Sequence, residues 1–281
     1  MLRWTPSGAV AAPTVLQVRV ERRYSDRVRA GAPTPSRSLS DEEVASNIHY
    51  FAVEQRGPRT RPAQSLVLSG VDPAVRASLA EVVERARGWG MERVILHLTG
   101  GEPDRWADLP LVRAVDAVAV TVRRPEEAHA LSGLSEHARV SAVVLLEGEG
   151  PAPALVDALA VARPARVVLT WPFPPVEAPP VWAIAERLSA AAWALHQRGV
   201  AVGIKGIPLC ALGELAGFAA RSGNRWYVDA EHQREEALMF FPDVVRFSRS
   251  EECRFCRAEP HCDGAPERWL RRGLLPALRA R

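Results

Sequence analysis

Seven short apolar runs, separated by amphipathic stretches, restrict the fold of this chain more than any other feature. They fall at residues 14–20, 65–68, 94–98, 117–122, 141–145, 167–170 and 200–204. The first, Thr14-Val15-Leu16-Gln17-Val18-Arg19-Val20, alternates apolar and polar residues as a strand does, and the later runs are nearly continuous, as strands covered on both faces require. Between the first two runs, Ser40 opens a helix, Glu43 completes a capping box, and Val44, Ile48 and Phe51 line one face before Gly57-Pro58 stops it. A helix is expected from Pro73 to about Gly88, burying Val75, Leu79, Val82 and Ala86, with further helical segments at residues 126–131, 152–161 and 181–196. Repeated βα units with right-handed crossovers leave a barrel or an open doubly wound sheet. No glycine-rich dinucleotide fingerprint follows the first strand, so the expectation is an α/β fold built as a partial (β/α) TIM-like barrel of parallel strands. In such folds the loops after the strand C-termini carry the chemistry, which singles out residues 22–30, 69–73 and 99–103, Arg123-Arg124, Glu147 and Trp171-Pro172.

The second constraint is the distribution of sulfur. Cys253, Cys256 and Cys262 lie within ten residues, and Cys210 is the only other cysteine. A C-x-x-C turn directs two soft thiolates at one centre, Gly264 permits a tight turn behind them, and Cys262 and Cys210 complete a four-sulfur set. On spacing alone, structural zinc, an iron–sulfur cluster, and disulfides or inert thiols all remain open. For zinc, His261 is an alternative to Cys210, although its position beside a ligand strains the chelate ring. No apolar run reaches the ~18 residues of a membrane span, and the N-terminus lacks a signal-peptide core, so a cytoplasmic protein without membrane contact is expected, where disulfides are disfavoured. The net charge is only +3, and Lys205 is the sole lysine, so the arginine excess reads as genome composition. With no aromatic-interleaved basic stripe, nucleic acid is not an expected partner.

In this order the segments resemble a radical S-adenosylmethionine (radical SAM) protein with a C-terminal SPASM or twitch-type auxiliary-cluster segment, over residues 14–275. Three stretches carry the resemblance. Leu66-Val67-Leu68-Ser69-Gly70-Val71-Asp72-Pro73 is similar to the family's "LxxSGGEP" strand and turn, and Val115-Asp116-Ala117-Val118-Ala119-Val120 to its later "AGVDAVxVSLDG" strand. Residues 253–273 resemble "CxxCxxxxxCxGxxxxYxxxxG", and Ile207-Pro208-Leu209-Cys210 matches the place after the last barrel strand where relatives often carry an auxiliary-cluster cysteine. The division this implies is a lead of residues 1–13, a degenerate barrel of residues 14–208 and a cysteine-containing segment of residues 209–281.

The chain departs from the family where the family does its chemistry. The loop after the first strand should carry C-x-x-x-C-x-x-C, but it reads Arg22-Arg23-Tyr24-Ser25-Asp26-Arg27-Val28-Arg29-Ala30, and no cysteine precedes Cys210. Val71 stands where a second glycine is usual. Thr99-Gly100-Gly101-Glu102-Pro103 spells the family turn literally but falls one strand late, and reads as a surface turn. The resemblance therefore implies a degenerate member that does not cleave S-adenosylmethionine, with Gly70, Asp72 and Pro73 as a vestige of its binding turn. It implies one auxiliary 4Fe–4S cluster on Cys210, Cys253, Cys256 and Cys262, with zinc as the alternative. The function it implies is a non-catalytic accessory subunit of a catalytic radical SAM enzyme, with a ribosomally made peptide as substrate. The alternatives are a zinc-stapled scaffold, or an enzyme with repurposed chemistry at His97, Glu102, Asp104 and Glu147. Trp182 and Trp193 are expected to pack, and Trp226-Tyr227 to form a short hairpin contact or a peptide-docking edge.

Overall fold

The computed structural model describes residues 13–22, 35–55, 61–100, 103–172, 177–220, 225–238, 247–248, 251–258, 262 and 264–274. Strands form at all seven apolar runs: β1 (Val15–Arg19), β2 (Ser65–Gly70), β3 (Arg93–Leu98), β4 (Ala117–Thr121), β5 (Arg139–Leu145), β6 (Arg166–Thr170) and β7 (Val202–Lys205). An eighth, β8 (Trp226–Val228), joins them, and all neighbours pair in parallel in the order β7-β6-β5-β4-β3-β2-β1-β8. From β1 to β7 each strand lies beside its predecessor, with no point where the order reverses. Right-handed crossovers then place every helix on the same face of the sheet, which separates this arrangement from a doubly wound one. Beyond β7, Ala219 bridges to Ile204 and Ala220 N–H donates to the Ile204 carbonyl at 2.8 Å, while β8 lies against β1. One stretch of chain thus reaches both edges of the sheet, consistent with a partial β/α barrel.

The helices are α1 (Asp41–His49), α2 (Leu79–Gly88), α3 (Pro103–Trp106), α4 (Pro110–Ala114), α5 (Pro125–His129), α6 (Leu131–Ser135), α7 (Pro153–Ala162), α8 (Val181–Gln197) and α9 (Leu209–Leu212). α1 starts as its sequence predicts: the Ser40 hydroxyl accepts from Glu43 N–H, and the Glu43 carboxylate accepts from Ser40 N–H at 2.8 Å. Val44, Ile48 and Phe51 are all fully buried, and the helix continues into a π-helical turn at Tyr50–Glu54. The stop expected at Gly57-Pro58 lies outside the described residues. One strand face is aliphatic throughout: Leu16 and Val18, Leu66 and Leu68, Val94 and Leu96, Val118 and Val120, and Val167 and Leu169 are essentially inaccessible. With Ile48, Val82, Leu131, Leu155 and Ile184 from the helices, they make one continuous core.

Several expectations are corrected. Residues 73–88 are not one helix but a 3-10 turn, Pro73–Val75, followed by α2. The tighter turn breaks the phase of the apolar stripe, so Val75 is 57% exposed while Leu79, Val82 and Ala86 are buried. The segment at 126–131 divides into α5 and α6. Trp182 does not pack: the buried stripe of α8 runs through Val181, Ile184, Leu188, Ala191 and Leu195, and Trp182 stands off it, 59% exposed. Trp193 lies at the stripe's margin, edge-on to Phe218 at 5.1 Å. Trp226-Tyr227 makes a short hairpin contact and is not an open docking edge. Its β8 pairs with β1 on one side, while Tyr227 exchanges both backbone hydrogen bonds with Leu238 on the other.

The C-terminal segment docks on the outer rim. Strands β9 (Phe247–Ser248) and β10 (Ala265–Pro266) pair antiparallel, and Cys253, Cys256 and Cys262 all lie in the loop between them. Helix α10 (Glu267–Arg271) follows. Its Trp269 is fully buried, packs on Trp171 with ring centres 6.1 Å apart, and donates its indole N–H to the Pro172 carbonyl at 2.9 Å. Val181 N–H donates to the Leu274 carbonyl at 3.0 Å, fixing the same segment to the start of α8. Among the described residues, no helix is long and apolar enough to cross a membrane.

Candidate functional site

Side chains alternate across a strand, so the face opposite the aliphatic one is fixed by the same register. It reads Gln17 and Arg19 on β1, Val67 and Ser69 on β2, Ile95 and His97 on β3, Ala117, Ala119 and Thr121 on β4, Ser141, Val143 and Leu145 on β5, Arg166, Val168 and Thr170 on β6, and Gly203 and Lys205 on β7. A packed barrel fills this space with layers of bulky branched side chains. Here Ala119 and Ser141 occupy two of the positions, whereas the place at Gly203 is filled, since a Cβ there would meet Arg166 Nη2 at 2.5 Å and Ala220 Cβ at 3.0 Å. In β3 and β5, fully buried residues on the helix side alternate with half-buried ones on this side. The interior is therefore partly open, polar at Gln17, Arg19, Ser69 and His97 and apolar at Ile95, Val143 and Val168.

The β1–β2 side of this interior is closed by hydrogen bonds. Gln17, fully buried, donates to the Ser69 hydroxyl at 3.0 Å and accepts from Arg225 at 2.8 Å. Arg19, 3% exposed, donates to the carbonyls of Glu21 and Arg22 at 3.1 and 2.6 Å, curling the chain back as it leaves β1. Glu21 then reaches the turn after β2, where its carboxylate accepts from Asp72 N–H at 2.9 Å. Burial pushes the Glu21 carboxyl above its usual range, and the Asp72 and Val71 amides only partly offset this.

The residues expected to form a vestigial cofactor turn stand at this point. Gly70 ends β2, and a Cβ there would meet Glu21 Oε2 at 2.5 Å, so the missing side chain is the room the carboxylate occupies. Asp72 accepts from the Trp106 indole N–H at 3.1 Å, and Pro73 is buried at the start of the 3-10 turn. Val71 is accommodated by the neighbouring strand: its Cγ1 lies 3.1 Å from where Gly100 would carry a Cβ. Thr99-Gly100 follows β3, with the Thr99 hydroxyl donating to the Gly70 carbonyl at 2.7 Å, so the two glycine turns lie side by side at the strand ends. Gly101 and Glu102 lie outside the described residues.

Of the other polar candidates, His97 is half-buried on the interior face of β3, Glu147 follows β5, and Asp104 belongs to α3. Arg123, singled out above as a strand-end residue, and Thr121, which was not, complete the rim. Arg123 follows β4 and donates to the Thr99 carbonyl at 3.4 Å. Thr121, 3% exposed, holds a hydroxyl with no hydrogen-bond partner among the described residues. The signal for these was present in the period-two placing of polar residues within apolar runs, clearest in the Gln17 and Arg19 positions of β1.

The cysteines occupy a different region. Cys210 sits in α9, just beyond β7, and Cys253 and Cys256 in a tight turn where Cys256 N–H donates to the Cys253 carbonyl at 3.0 Å. Gly264, at φ +79°, donates its N–H to the Cys262 sulfur at 3.4 Å. All four cysteines are half-buried and none is in a disulfide. This donor set suits zinc or a cluster chemically, and the amide-to-sulfur hydrogen bond is one that thiolate favours. In placement, no three His, Cys, Asp or Glu side chains gather as a metal site among the described residues. His261 lies outside them. No protein-family model matches this chain, and no curated protein matches it.

Proposed function

We propose that this chain is a degenerate radical-SAM-like protein that works as a non-catalytic accessory subunit, binding in its barrel interior and carrying one metal centre in its C-terminal segment. The observation that supports this reading is the separation of the two regions. The interior at the strand ends is open and polar but free of cysteine, and every cysteine lies at or beyond residue 210. A cluster that cleaves S-adenosylmethionine needs three thiolates and an open iron at those strand ends, and Arg22, Tyr24 and Ser25 do not supply them. The Asp72 amide of the vestigial turn is already engaged by Glu21.

Cys210, Cys253, Cys256 and Cys262 would hold the metal, a 4Fe–4S cluster in this proposal and zinc in the competing one. A fully ligated cluster supplies a structural staple or an electron-transfer centre. The partner in this reading is a catalytic radical SAM enzyme, which the accessory chain stabilises or supplies with a peptide. Two assays test it together. Under reducing conditions the isolated chain should form no 5′-deoxyadenosine from S-adenosylmethionine, and it should co-purify with a radical SAM enzyme encoded beside it. Deoxyadenosine formation by the chain alone, or full activity of that enzyme without any physical association, would contradict the proposal.

A further inference from the structure

We propose that the end of the barrel where the strands begin binds a small ligand carrying a chain of phosphates, through Arg93, Arg139, Arg166 and Arg225. The C-terminal segment docks at the opposite end, beyond β6, so this inference goes beyond the accessory reading and stands independently of it.

Register carries the argument. On the face away from the helices, β3 begins at Arg93, level with Ser65 of β2, and β5 begins at Arg139, level with Ala117 of β4. Arg166 opens β6 one layer above Arg139, beside Ser141. Alternation directs all three side chains to the interior side, and each is exposed at that end. Arg166 is seated there: its Nη2 and Nε lie 2.5 and 3.0 Å from where Gly203 of β7 would carry a Cβ, so the glycine leaves the space its guanidinium occupies. From the other edge of the sheet Arg225, which leads into β8, donates to the buried Gln17 at 2.8 Å. Four guanidiniums thus flank one end of the interior.

The face they share holds no carboxylate: neither Asp nor Glu occupies an interior position of β1 to β7. Elsewhere exposed arginines are paired, as in Arg37–Glu43, Arg124–Glu127 and Arg272–Glu177. Arg93, Arg139 and Arg166 make no hydrogen bond or ion pair among the described residues, and Arg93 acts on Asp116 through charge alone. The carboxylates of the turns leading into the strands lie off this face. Glu92 accepts from the Gln64 amide at 3.3 Å, Asp116 pairs with Arg87 at 3.1 Å, and Glu136 is exposed after α6. The same turns add Arg61 and Arg163, and Arg198 with its partner Asp157, so the balance stays with the arginines.

Clustered like charges repel, and a surface built for solubility intersperses the signs. A polyanion relieves the repulsion. Strands two apart lie about 10 Å from each other, so one ligand reaches both Arg93 and Arg139 only if its charge is spread along its length. Guanidinium forks match phosphate oxygens in pairs, and a phosphate chain offers several such edges in succession. No row of exposed aromatic side chains alternates with these arginines among the described residues, which favours a small ligand over a nucleic-acid strand.

The test titrates the full chain, with its metal complement, with inorganic tripolyphosphate, ATP, citrate and a short single-stranded oligonucleotide at about 0.15 M salt. Tripolyphosphate should bind with Kd about 0.1 mM or tighter, and citrate, a polyanion of carboxylates, about tenfold more weakly or worse. Arg139→Gln and Arg166→Gln should each weaken tripolyphosphate about tenfold, and Arg272→Gln should not, with unfolding midpoints confirming that all three variants fold. ATP binding tighter than tripolyphosphate supports the proposal with a nucleotide as the source of the phosphates, and equal binding supports it with the phosphate chain alone. No tripolyphosphate binding, equal affinity for citrate, or unchanged affinity in both arginine variants would overturn it. An oligonucleotide that binds tighter than ATP and is lost in the same variants would make this end a nucleic-acid surface and overturn it as well.

Discussion

Glu21 and Gly70 share one small volume, and neither makes sense without the other. The carboxylate fills the space above the glycine and takes the Asp72 amide as its donor, at the cost of its own desolvation. Gly70→Ala should therefore cost about 1–3 kcal/mol through overpacking. In a Glu21→Ala background the same substitution should cost much less, and denaturant unfolding of the four proteins in a double-mutant cycle measures the coupling. Additive effects would place the clash elsewhere. A second residue-scale prediction concerns Glu43, whose carboxyl the Arg37 guanidinium, bonded at 2.7 Å, and the Ser40 amide hold down at about 2. A carboxyl depressed in the folded state stabilises above its unfolded pKa, and that contribution disappears as pH falls from ~4.5 towards 2. Much of the shift is screened at a partly exposed site, so Glu43→Gln should cost about 1 kcal/mol at neutral pH. The deficit should close in unfolding curves taken at successively lower pH.

The docking of the C-terminal segment rests on one side chain. Trp269 is buried against Trp171 and tied to Pro172, while Arg272 pairs with the exposed Glu177 at 3.0 Å, a contact of small consequence. Trp269→Ala should remove about 3–5 kcal/mol of packing and release the segment, whereas Arg272→Gln should leave it in place. Amide hydrogen exchange should then rise in β10 and α10 in the first variant only, with the core strands β2 to β5 unaffected. Other elements show where sequence periodicity succeeds and where it stops. The first seven strands and α1 announce themselves, because each carries enough apolar residues, or a complete capping box, to fix its type. β8 does not: Trp226-Tyr227-Val228 is too short to display a period, and its partner β1 lies some two hundred residues away. The spacing of Val75, Leu79, Val82 and Ala86 fits a continuous helix equally well. Only the 3-10 turn at Pro73, a local backbone choice, puts Val75 in solvent.

For the molecule as a whole, strand order follows from sequence order once the crossovers share one hand, so a partial barrel could be anticipated from the alternation alone. Its open interior could not. Openness depends on which layer each small residue occupies, and the positions of Ala119 and Ser141 acquire meaning only when register sets them side by side next to the half-buried His97. The candidate cysteines were legible as a group because thiols are few. Their assembly into one site is not, since it would require bringing Cys210, after β7, to a loop held between β9 and β10, and among the described residues no three such ligands gather. That assembly is the central claim, and anaerobic purification of the chain and of Cys256→Ala, with iron, acid-labile sulfide and zinc analysis, tests it most directly. The account predicts about four irons and four sulfides per chain, with a broad absorption near ~400 nm that Cys256→Ala loses. A metal-free, colourless protein, or one zinc per chain, would contradict it.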